Sequence, residues 1–92
     1  MKKDVEFLMV NAATKALEYK KKNPDALEEE IIRHVMSSLE VKSDLKIIGI
    51  ASATEVLKFK KLSKNSTDQQ IMQMFMNNLP KLSAGLTNLS EE

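Results

Sequence analysis

Ninety-two residues suffice for one domain and leave no room for a second core. Fourteen Lys plus Arg against thirteen Asp plus Glu give a net charge of +1, so no global field draws the chain to nucleic acid or to an anionic membrane. The absence of Cys excludes disulfides, thiolate nucleophiles and Cys-built metal sites, and a single His excludes most His-built zinc and triad chemistry.

At the start, Asp4 and Glu6 interrupt the apolar run that a signal peptide needs, and no stretch of about 18 apolar residues follows anywhere. The expectation is a cytoplasmic protein with no membrane contact. From about Lys3 to Lys22, Val5, Leu8, Met9, Ala12, Ala13, Ala16, Leu17 and Tyr19 fall on one face at helical spacing. Asn23-Pro24-Asp25 marks a turn, and Asp25 with Glu28 stands where an N-cap and its N3 partner belong. A second helix is expected over about Asp25 to Leu39, with Leu27, Ile31, Ile32, Val35, Met36 and Leu39 inward. A third, over about Asp44 to Leu62, presents Leu45, Ile48, Ala53, Val56, Leu57 and Phe59. After Ser63-Lys64-Asn65-Ser66, a fourth spans about Asn65 to Leu79, capped by Asn65 with Asp68 or by Ser66 with Gln69, with Ile71, Met72, Phe75, Met76 and Leu79 on its core face. Pro80 is expected to close it, because proline cannot extend the amide ladder and biases Leu79 away from helical backbone. Residues 81–92 then read as a tail or a short fifth helical turn.

Sliding the chain on itself by forty residues aligns 4–40 with 44–80 without a gap. Nine of the 37 pairs are identical, where about two or three arise by chance at average usage: Asp4/Asp44, Ala13/Ala53, Thr14/Thr54, Leu17/Leu57, Lys20/Lys60, Lys21/Lys61, Ile31/Ile71, Met36/Met76 and Leu39/Leu79. The fold class follows: all-α, a four-helix bundle of two tandem helical hairpins in one domain over residues 1–92. The units are 4–40 and 44–80, followed by the 81–92 tail. Small residues at Ala12, Ala13 and Ala16, matched by Gly49, Ala51, Ser52 and Ala53, predict a close approach of the first and third helices.

The apolar arc on each helix is wider than the stripe of about 100° that a single buried seam needs, so every helix requires more than one neighbour. The surplus points to coverage by the tail or to a partner, a second copy being the simplest. This makes a small non-enzymatic module, acting through protein–protein contact or self-association, the leading expectation. Ile71, Met74 and His34 are the candidate partner-binding residues. Neither a cofactor nor a metal is implied: one His makes no site, and Glu28-Glu29-Glu30 fans out around a helix and suits the positive end of its dipole. No phosphate-loop, nucleophile-elbow or zinc-protease motif occurs. The alternative is weak nucleic-acid binding through two lysine clusters, Lys20, Lys21 and Lys22 with Lys58, Lys60, Lys61 and Lys64. Against it, Arg33 is the single arginine, and both clusters also suit helix C-termini.

Overall fold

The computed structural model describes residues 2–39 and 41–90. They form four helices, α1 (Lys2–Lys22), α2 (Glu28–Ser38), α3 (Ser43–Leu62) and α4 (Asp68–Ser90), and no strand occurs among them. Glu40, at the end of the first expected unit, and Glu91 and Glu92, at the end of the expected tail, lie outside the described residues. Short connections make successive helices antiparallel, so α1 and α3 run the same way. Two contacts fix this register between α3 and α4: Lys60 Nζ donates to Asp68 Oδ1 at 3.0 Å near one end, and Asn78 Nδ2 to Glu55 Oε2 at 3.3 Å farther along.

The parallel pair α1 and α3 is the most extensively packed. Each also touches both α2 and α4, and among the described residues the backbones of α2 and α4 do not approach one another. Ala12, Ala13, Ala16, Ser52 and Ala53 are fully enclosed along this contact, and so is Met9. Small side chains allow two backbones to come close, and the hydroxyl of Ser52 is satisfied inside the core by donating to the Ile48 carbonyl at 3.0 Å. At Gly49 the expected crossing is present, since a Cβ placed there would lie 3.8 Å from the Ala12 Cβ. The tighter neighbour is unexpected: Leu39 Cδ1, at the end of α2, would stand 2.6 Å from the same Cβ. Gly49 therefore admits both the parallel helix and the incoming leucine.

Flanking helices complete the core with Ile31 and Val35 from α2, Leu39 immediately after it, and Ile71, Phe75 and Leu79 from α4. Positions forty apart are enclosed alike: Leu17 with Leu57, Ile31 with Ile71, Val35 with Phe75 and Leu39 with Leu79 are all buried. Two core expectations need correction: Met76 is half exposed, although Met72 packs against the core, and Leu27, expected inward on the second helix, stands at its start 72% exposed. Phe7 and Ile47 also project from the bundle.

Helix ends differ from the expected ones in three places. α2 begins after Leu27, not at Asp25, which lies in the preceding turn. Its cap position carries no side-chain hydrogen bond, whereas α4 opens with a reciprocal capping box at neither expected pair, two residues after Asn65 and one after Ser66: Gln70 N donates to Thr67 Oγ1 at 3.2 Å, and Thr67 N donates to Gln70 Oε1 at 2.9 Å. The third difference is Pro80, which sits inside α4 without ending it. Helix continues through the expected tail to Ser90 because Leu79 is buried and Leu82 packs against the core. Both Pro80 and Met76 are exposed, so water can serve the Met76 carbonyl that proline leaves without a donor.

Gly49→Ala gains up to about 1 kcal/mol of helix propensity and loses about 1–3 kcal/mol to overpacking against Leu39 and Ala12. A net loss of about 1 kcal/mol is expected from the urea midpoint, with a larger loss for Gly49→Val.

Candidate functional site

Because α1 and α3 are parallel, the lysines that close their last turns gather at one end of the bundle, where α2 also begins. Two of them have structural work. Lys20 Nζ donates to the Pro24 carbonyl at 2.8 Å and the Ala26 carbonyl at 3.3 Å, while Lys60 Nζ donates to the Ser66 carbonyl at 3.2 Å and to Asp68. Each ammonium thus ties the end of one helix to the turn that leads into the next. Lys58, Lys61 and Lys64 are exposed, and among the described residues they make no hydrogen bond or ion pair.

Those three line a groove of about 660 Å³ between the start of α2 and the second half of α3. Its apolar floor comes from Ala26, Leu27, Ile31 and Leu57. Thr54, Lys58 and Lys61 occupy one face of α3 at spacings of four and three, and Lys64 follows in the turn. Lys20 and Lys60 complete the basic side, and Glu28 is the single carboxylate in the lining. Leu27 is 72% exposed although it stands at the helix cap, where Ser or Thr in its place would add about 1 kcal/mol.

The three expected partner-binding residues do not form one surface. Ile71 is fully enclosed in the core, where an apolar side chain on the inner face of α4 is shielded by α1 and α3; it cannot meet a partner. Met74 is 37% exposed and shares a shallow depression of about 400 Å³ with Phe59, Asn77 and Asn78. His34 is exposed on α2, with its ring centroid 4.3 Å from that of Tyr19. These two rims correspond under the forty-residue offset, Tyr19 and His34 matching Phe59 and Met74.

Tyr19 also donates its hydroxyl to Glu30 Oε2 at 2.7 Å. That hydrogen bond, followed by partial burial and by the negative charge of Glu30, raises the phenol above its ordinary value of about 10. Arg33 pairs with Glu29 one turn earlier at 3.2 Å, a solvent-exposed contact of little energetic weight. Among the described residues no three His, Asp or Glu side chains converge as metal ligands, and no helix is long and apolar enough to cross a membrane.

Neither protein-family models, nor curated proteins, nor solved structures yield a match to this chain. The residues that matter most for the groove, Leu27 and Thr54 with the apolar pair Ile31 and Leu57, were not visible as a site in the sequence because they meet only when α2 folds across α3. The forty-residue alignment did hold a signal: Leu27 stands opposite the capping residue Thr67.

Lys20→Met or Lys60→Met is expected to lower stability by about 0.5–1.5 kcal/mol, because turn carbonyls lose a charged donor. Lys58→Met and Lys61→Met should each stay within about 0.5 kcal/mol of wild type in the same urea titration. Since Tyr19 is the only tyrosine and Trp is absent, ultraviolet titration reads its ionisation alone. The midpoint should lie above 10 and fall in Glu30→Ala. The sign for stability follows: a raised folded pKa contributes below the unfolded value and is lost as pH rises through the folded one.

Proposed function

We propose that the chain is a non-enzymatic, cytoplasmic protein-interaction module that docks a protein partner in the groove between α2 and α3, and that its two hairpins arose by duplication. The observation that carries the reading is the groove itself, an apolar floor edged by exposed lysines with no intramolecular partner among the described residues. Burying Leu27 against a partner removes a large apolar side chain from water, worth about 1.5–3 kcal/mol when complete. Five lysines against one glutamate favour a partner of complementary charge.

Two arrangements fall within this reading: a foreign partner, or a second copy joined as a homodimer. Phe7 and Ile47, exposed on equivalent turns of the parallel helices, favour adding self-association to the test. The nucleic-acid alternative keeps Lys21, Lys22, Lys58, Lys61 and Lys64, but Lys20 and Lys60 are committed to their turns and Arg33 to Glu29.

Wild-type protein and Leu27→Thr/Lys58→Gln/Lys61→Gln, each immobilised and exposed to the same cell extract, should differ in at least one retained protein, and sedimentation equilibrium shows whether that protein is a second copy. Identical retention on both, with identical solution mass, contradicts the assignment of binding to this groove.

A further inference from the structure

Resting on that reading, we infer that the occupant of the groove is an acidic amphipathic helix, seated with its apolar face on the exposed Leu27 and the part-exposed Ala26, above the buried Ile31 and Leu57, and its carboxylates toward Lys58, Lys61 and Lys64. Three features of the chain lead there.

The first is the cap of α2. Equivalent positions forty residues apart open both flanking helices: the Ile31 amide donates to the Leu27 carbonyl, and the Ile71 amide donates to the Thr67 carbonyl, each at 3.0 Å. Thr67 closes a capping box there, and Leu27 closes nothing. A leucine at a cap is among the poorer choices for the helix, and an exposed one adds nothing to the core. Stability is given up at this position for an apolar side chain beside a groove.

The second is the way the groove departs from its counterpart. Positions that build the shared scaffold keep their residue type across the offset: Ile31 with Ile71, Leu57 with Leu17, Thr54 with Thr14. At the edge Lys61 keeps its counterpart Lys21, but three positions change: Lys58 stands opposite Glu18, Lys64 opposite Pro24 and Leu27 opposite Thr67. Each departure adds either a positive charge or apolar surface to the same concavity. Nothing in the packing of the bundle requires them, because the side chains concerned are exposed.

The third is the geometry of the charges. Lys58 and Lys61 are separated by about one helical turn, and Lys64 extends the row beyond the end of α3. A single anionic headgroup meets one or two such ammonium groups. A row at one-turn spacing matches carboxylates three or four residues apart on a helix whose opposite stripe is apolar, the usual helix-in-groove arrangement.

The test uses the full chain labelled with nitrogen-15 and a synthetic helical peptide of about 16 residues, a length near the lower limit for an isolated helix. Leucines occupy one face, and glutamates fill the other. A control peptide keeps the leucines and carries lysine for every glutamate. The acidic peptide is expected to shift amide resonances at the start of α2 and the second half of α3, and the basic control to shift none of them. Lys58→Gln/Lys61→Gln/Lys64→Gln should weaken binding at least about tenfold. Leu27→Thr is the decisive variant: it should raise the urea midpoint by restoring a cap and still weaken the peptide severalfold, so misfolding cannot explain the loss. Unchanged affinity in Leu27→Thr, equal binding of the basic control, or binding of a DNA duplex with none of the acidic peptide would each overturn the inference. If the acidic peptide does not bind while groove substitution still abolishes retention of a cellular protein, the acidic-helix inference falls and the broader protein-binding reading stands.

Discussion

Everything in this bundle is arranged around the approach of two parallel helices through small side chains. Ala12, Ala13 and Ala16 of α1 meet the stretch of α3 that holds Gly49, Ser52 and Ala53, and the absence of bulk lets the backbones close while larger groups pack to either side. In an ordinary up-down bundle the parallel helices sit on a diagonal. Here that diagonal is the closely packed one, and among the described residues the backbones of α2 and α4 stay apart. The shortest extent of the molecule, 17 Å, is about two helix layers, given interaxial distances of 8–10 Å and a Cα radius of about 2.3 Å. A flat rhombus of this kind exposes more of each helix than a square bundle does, and the groove between α2 and α3 is one result.

The same arrangement explains why lysines in equivalent places have different work. Parallel α1 and α3 bring both basic C-terminal turns to one end, where cations are favoured by the helix dipoles. Lys20 and Lys60 reach over the following turns and hold their carbonyls with a charged donor in place of water. Lys58 and Lys61 project from the outer face of α3 toward the groove instead. Charge counting treats all of them alike, and only the direction of each side chain separates a staple from a binding group.

Much of the fold was legible in the sequence because helical periodicity is a local property that burial in the bundle then obeys. Buried positions such as Leu17, Val35, Leu57 and Phe75 follow from spacing alone. What failed were features decided by tertiary contact. Asp25 is the better cap by residue type, yet the helix begins after Leu27, where Ile31 is already fixed in the core. Pro80 reads as a stop, yet the packing of Leu79 and Leu82 carries α4 past it. Met74 and His34 reach the surface as their edge positions imply, whereas Ile71 does not, because it lies with Phe75 and Leu79 on the inner face of α4, against α1 and α3. The groove was hidden for the same reason: its walls belong to elements separated by some thirty residues of chain, and only the mismatch of Leu27 with Thr67 hinted that one hairpin carries something the other lacks.

The most direct measurement of the central contact is a carbon-13-edited nuclear Overhauser spectrum of the uniformly labelled protein. A short-range cross-peak between the Ala12 methyl group and the Gly49 α protons is expected, accompanied by one from Gly49 to the Leu39 methyls, as a parallel α1–α3 pair demands. Absence of both, with the alanines of α1 instead facing only α2 and α4, would contradict the arrangement and remove the basis for the groove.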